Sequence, residues 1–148
     1  MNPWSEDVEW ELVYPMATMV LLTALVLVRM VLGRMAAVRR GEVDARFYKT
    51  FDSGEGETRQ LAQHTRNFIN LFESPVLFYA GCITAMVVGQ GTGVIIWLAW
   101  AYVVFRAIHT VVHLGSNRIP PRMVMYGASW IALLAIWGTL VVRVASTP

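Results

Sequence analysis

The sequence predicts an all-α integral membrane protein built as one bundle of four transmembrane helices. Three observations lead there. The 148 residues are 56% hydrophobic, above the ~45–50% usual for soluble domains. Charge is segregated: between Asn67 and Phe105 the sole charged residue is Glu73, and from Met123 to the end it is Arg143. The apolar runs this leaves meet the ~20 residues a helix needs to cross a bilayer, and they are too continuous for the alternating strands of a barrel. Four spans follow, at about residues 10–32, 67–88, 94–112 and 123–144, in a single domain covering the whole chain.

The first span follows "MNPWSEDVEWE" and ends in "RMVLGRMAAVRR". A cleavable signal has a basic start and a small-residue cleavage site. Here the start is acidic, so this span is read as a retained helix continuing to about Arg40. The segment 34–60 that follows is polar, with mixed charge and a glycine-rich stretch, "DSGEGE". Its basic residues suit anionic lipid headgroups; nucleic acid is not expected as a partner. The second span contains Cys82, the single cysteine, which excludes an intrachain disulfide and is read as a small core residue. The third and fourth spans are separated from their predecessors by "GQGTG" (89–93) and "LGSNRIPPR" (114–122).

Orientation follows from the loops. Arg34, Arg39, Arg40, Arg46, Lys49 and Arg59 fall in the first connection and Arg118 and Arg122 in the third, while the 89–93 turn has no charge. Basic residues gather in cytoplasmic loops. Both termini and the 89–93 turn are therefore expected outside the cytoplasm.

Several polar residues sit where apolar ones are expected. Arg59, Gln63, Arg66, Asn70 and Glu73 are spaced 4, 3, 4 and 3. At about 100° per residue they fall within about 80° of one another on a helix. On this reading all the strong polar groups of the second span share one stripe, and Pro75 loosens the helix one turn beyond it. Tyr102, Arg106, His109 and His113 make a second stripe, and Arg122 and Tyr126 a third. Ionisable groups inside a membrane cost at least about 2.5–3.5 kcal/mol at mid-depth, so they mark candidate functional sites. Together the stripes predict a cationic cleft with one carboxylate, Glu73, opening toward the cytoplasmic leaflet. It would suit an anionic or zwitterionic ligand, because guanidinium forks grip carboxylates in pairs of hydrogen bonds. His109 and His113, at i and i+4, could face one metal ion, but the chain has only three histidines and no metal site is expected.

These residues also form a known pattern. Arg66, Asn70, Glu73 and Pro75 make R-x-x-x-N-x-x-E-x-P, and "RAIHTVVHLGSNRIPPRMVMY" (106–126) resembles R-x-x-H-T-V-x-Y-L-G-x-x-R-x-P-x-R-S-x-x-Y without gaps. Both resemble the MAPEG family, the membrane-associated proteins in eicosanoid and glutathione metabolism that include microsomal glutathione transferases and prostaglandin E synthase. The resemblance implies a homotrimer of four-helix subunits, here a bacterial member in the cytoplasmic membrane. It implies glutathione as co-substrate, held by Arg66, Asn70, Glu73, His109, His113 and Tyr126, with Arg122 as the catalytic residue beside the sulfur. The implied reaction is transfer of glutathione to a lipophilic small molecule, or reduction of a peroxide. Three positions depart from the pattern: His113 replaces a tyrosine, Met123 a serine, and Ile69 an arginine found in some members. Methionine cannot donate a hydrogen bond to a thiolate, so Arg122 would have to do this with help from His113. The alternative is a non-catalytic scaffold, or a small subunit of a larger membrane complex, whose stripes only lock helices together.

Overall fold

The computed structural model describes residues 10–50 and 56–146; the acidic start and most of the "DSGEGE" stretch lie outside the described residues. A single 3-10 turn, Trp10–Leu12, leads into α1 (Val13–Arg39). A short α2 (Phe47–Thr50) follows, then α3 (Arg59–Asn70), α4 (Ser74–Val87), α5 (Val94–Leu114) and α6 (Ile119–Ala145). No strand occurs among the described residues. α3 and α4 together form one span, Arg59–Val87, so four stretches are long and apolar enough to cross a membrane. The first ends at Arg39, close to the expected Arg40, and the other three are longer than the sequence reading at the end that carries the 40–58 and 115–118 segments, called here the basic end. Polar residues there continue the helices beyond their apolar parts.

The packing is that of helices in an apolar solvent. The outward faces carry large exposed side chains, including Val20, Leu21 and Leu25 of α1, Trp97 of α5, and Ile131 and Leu134 of α6. In water such a surface would be unstable; against lipid tails it costs nothing. Inside, Met19, Phe78, Ile95, Tyr102, Leu133 and Ile136 are fully or almost fully buried. α5 and α6 pack along most of their length, α1 lies on α3 and α5, and α4 crosses α6.

Small residues permit the α4–α6 crossing. The stretch "GCITA" (81–85) is of the kind that can join subunits, because small residues let membrane helices approach closely. Here Gly81, Cys82 and Ala85 are instead buried within the chain. A Cβ on Gly81 would stand 3.2 Å from Trp137 Nε1 and 3.4 Å from Ile136 Cγ2. The same Trp137 nitrogen donates to the Leu77 carbonyl at 3.2 Å.

The ends are fastened by polar groups. Arg143, the lone charge of the last span, donates from Nη1 to the carbonyls of Gln90 (3.1 Å) and Thr92 (3.4 Å). It thereby ties the end of α6 to the α4–α5 turn. That turn closes at Gly93, whose φ of 59° is a left-handed value glycine adopts without steric cost.

At the basic end, Arg34 binds Glu57 (Nε to Oε1, 2.9 Å) and Thr65 (Nη2 to Oγ1, 2.9 Å), and Thr65 donates to Glu57 Oε2 at 2.8 Å. Arg34 also lies 5.0 Å from the centroid of the Tyr48 ring. Burial pushes the Tyr48 hydroxyl above its ordinary pKa, with Glu57 adding to the effect. Ala37, Val43, Phe47 and Leu61 form a small second core beneath. The 34–60 connection is thus partly folded onto α1 and α3, whereas the sequence predicts only a loop after Arg40. Its arginines are not all available to headgroups: Arg34 is engaged, and Arg40 pairs with Glu42.

Enlarging Gly81 should therefore damage the fold. Gly81→Leu is expected to lower stability by about 1–3 kcal/mol through overpacking, seen as a lower melting temperature in detergent. Gly127, where an added Cβ would meet nothing within 4 Å, is the control. Gly127→Ala should be neutral or stabilising by up to ~1 kcal/mol, since alanine favours helix over glycine.

Candidate functional site

The second span is two helices. Leu71–Glu73 form a turn, and α4 begins at Ser74 with Pro75 in its first turn. Proline suits that position because its missing N–H would have no helical partner there. Pro75 therefore starts a helix, and does not loosen one as the sequence reading has it. With no N–H it cannot serve the Leu71 carbonyl, and Glu73, in the turn just before α4, is exposed.

The break leaves carbonyls at the C-terminus of α3, the end where a helix dipole favours cations. Arg106 of α5 fills this need. It is completely buried and its Nη2 donates to the Asn70 carbonyl. Its guanidinium carbon lies 5.6 Å from the centroid of the Tyr126 ring. Nε and Nη1 of Arg106 have no hydrogen-bond partner among the described residues. Below it, Tyr102 is fully buried, stacks on Phe78 with centroids 4.4 Å apart, and shares a 2.9 Å hydrogen bond with Ser74 Oγ. The stripe on α5 thus descends from the site into the core: Tyr102 and Arg106 support the floor, while His109 and His113 reach the opening.

Above Arg106 lies a cavity of about 500 Å³. Arg66, Asn70, Glu73, His109, His113, Arg122 and Tyr126 all line it, joined by Ile69 and Met123. Every candidate site residue of the sequence reading is therefore brought to one place. The positions of Ile69 and Met123, where the sequence departs from the pattern, also lie on the cavity wall. The sequence reading groups Arg106 with the cleft; the structure puts it underneath.

Local bonds orient the site. The Arg122 carbonyl can only accept, so His109 Nδ1–H donates to it at 3.0 Å. That choice of tautomer leaves Nε2 of His109 as a bare acceptor, buried and without a partner among the described residues. Arg122 Nη1 donates to Asn117 Oδ1 at 2.7 Å. Asn117 itself has a φ of 48°, in the left-handed region that asparagine tolerates better than most residues. Sequence reasoning misses its contribution; the signal for it is its position in a turn between two helices. Gln63 Nε2 donates to the His113 carbonyl, joining α3 to the end of α5. The His109 and His113 rings lie nearly parallel, 5.6 Å apart. No group of three or more His, Cys, Asp or Glu able to hold a metal occurs among the described residues.

One expectation fails here. The polar groups of α3 do not all share a stripe. His64 and Asn67 lie on another face and are buried, and a Cβ on Gly33 of α1 would sit 3.6 Å from His64 Nδ1. Neither side chain has a hydrogen-bond partner within the described protein.

No curated protein matches the sequence. The profile of the MAPEG family matches residues 12–142, which takes in all four spans and every residue of the cavity. The chain belongs to the MAPEG family.

Proposed function

We propose that this protein is a glutathione-dependent transferase or peroxidase acting on lipophilic substrates. One observation carries the reading: seven residues from two separate motifs line a single cavity. Its chemistry suits the tripeptide. Glutathione bears two carboxylates, one ammonium and a thiol, a net charge of −1 while the thiol is protonated. The cavity offers two guanidiniums, Arg66 and Arg122, and one carboxylate, Glu73, a net +1. A volume of about 500 Å³ lies within the ~300–1,000 Å³ usual for small-ligand sites.

Glutathione supplies a sulfur nucleophile or reductant once its thiol is ionised. The protein residues do the rest. Glu73 holds the ammonium, and Arg66 and the Asn70 amide hold carboxylate. Arg122, steadied by Asn117, places positive charge beside the sulfur and favours its ionised form. His109 Nε2 accepts a hydrogen bond from the ligand. Met123 and Ile69 give the apolar reactant a surface that polar side chains would not.

The assembly proposed is a homotrimer. In a single chain Glu73 is exposed within a span, and a carboxylate bare to lipid is costly. A neighbouring subunit over this flank would cover it. The same reading puts the protein in a cytoplasmic membrane, with the basic end inside and the 89–93 turn outside, and leaves room for a larger complex around the trimer.

Three outcomes are expected. Glu73→Gln keeps the shape and removes the charge, so calorimetry should find glutathione affinity reduced by about 10- to 150-fold, the equivalent of ~1.5–3 kcal/mol for a charged hydrogen bond. Arg122→Leu should bind more nearly as the parent does. Its bound thiol should ionise only at higher pH, because a cation that stabilises the thiolate lowers the thiol pKa from about 8.5 and its removal lets the value return. A scaffold predicts otherwise: no heat of glutathione binding, and a lower melting temperature for Glu73→Gln.

Cysteine labelling checks the orientation. A membrane-impermeant maleimide applied from outside should modify Thr92→Cys and not Ser116→Cys, against a background in which native Cys82 is buried; the reverse pattern would overturn it. Native mass spectrometry in mild detergent should record trimers, and monomers alone would refute the assembly.

A further inference from the structure

A second chamber opens from the first toward the basic end. Its volume is about 430 Å³, and Arg66, His113 and Arg122 line both. The outer chamber adds Arg59, Gln63 and Asn117 to those three. Among the described residues, no aspartate or glutamate lines it. It therefore gathers three guanidiniums with no carboxylate, whereas the inner chamber sets Glu73 against two. His113 forms the shared wall. It is only 4% exposed, and its Nδ1 has no partner among the described residues.

We propose that the outer chamber is a separate anion subsite that binds a phosphate group. A carboxylate brings one negative charge and two oxygens, and would leave most of this charge unmatched. A phosphate monoester carries about −1.5 to −2 near neutral pH and three acceptor oxygens. Arginine forks engage such oxygens in pairs, and the imidazole edge of His113 supplies a further contact. The chamber is roomier than a lone phosphate requires, so the group arrives attached to something larger, either a soluble phosphate ester or a lipid headgroup from the adjoining leaflet. This assignment rests on the outer lining, in which Arg59 is the cation the inner chamber does not share.

The test is calorimetric titration of the full chain in detergent with inorganic phosphate, at fixed ionic strength in chloride. The parent protein should bind phosphate saturably. Arg59→Gln removes a cation from the outer chamber only, and Ala62→Glu, also on its wall, adds a carboxylate. Each should weaken phosphate binding at least tenfold. Arg39→Gln, an exposed arginine at the end of α1 outside both chambers, should leave it unchanged. Two folded chamber variants are not required; either one that remains monodisperse decides the matter. Absence of saturable phosphate binding in the parent, or equal weakening by Arg39→Gln, would overturn the assignment. Glutathione titrated into Arg59→Gln reports on the inner chamber, which Arg59 does not line, so one reading can fail while the other stands. Nanodiscs then identify the source. If phosphatidic acid, unlike phosphatidylcholine, competes with inorganic phosphate, the subsite takes a headgroup; if neither lipid competes, it takes a soluble ester.

Discussion

The hydrogen bond from Arg106 to the Asn70 carbonyl is the contact on which the site depends. A break in a membrane helix exposes backbone groups that lipid cannot satisfy. Arg106 meets that need with a fully buried guanidinium at the C-terminal end of α3, where the helix dipole favours positive charge. The arrangement makes the break tolerable; Glu73 lies in the turn, exposed, and α4 begins at Ser74 with Pro75 in its first turn. The same guanidinium backs the Tyr126 ring, which lines the cavity. Its burial would be prohibitive alone; the Asn70 carbonyl and the Tyr126 ring offset part of that cost.

The polar groups are distributed by depth. Some in the core are paired, as with Ser74 and Tyr102, while His64 and Asn67 are buried with no partner among the described residues. Those at the basic end form linked sets: Arg34 with Glu57 and Thr65, Gln63 with His113, Arg122 with Asn117. The first two sets join elements that are separate in sequence, and the third fixes the start of α6, so the basic end is held by directional bonds. At the other end Arg143 does the same for the α4–α5 turn, and between them the bundle relies on shape, as at Gly81 against Trp137. This division follows from the solvent, because apolar contacts between helices gain little over contacts with lipid tails.

Much of this is legible in the residues. The four spans follow from where charge is missing, and the cavity lining follows from spacings of three and four, which a helix converts into a shared face. What sequence reasoning misses has specific causes. Periodicity places residues on a face but does not show where a helix stops, so the turn at Leu71–Glu73 looks continuous. His64 and Asn67 lie off the stripe, and their burial depends on α1, which no local pattern reveals. The short α2 is one turn long, too brief to leave a periodic signal. Gly81 is recognisable as a point of close approach, but whether a small residue meets its own chain or another is decided by the tertiary fold. The resemblance to MAPEG motifs supplies residue roles that spacing alone does not.

Ile69 and Met123 stand on the cavity wall and are also exposed on the outer surface of the subunit, at 52% and 64%. On the other side the cavity continues into the arginine-lined chamber at the basic end. The pocket therefore straddles a phase boundary. A molecule lodged in it has guanidinium groups along one edge and alkyl and thioether groups along the other. Two reactants of opposite solubility could meet there without either leaving its own solvent completely, and for the apolar one the relevant concentration would be that in the bilayer rather than in water.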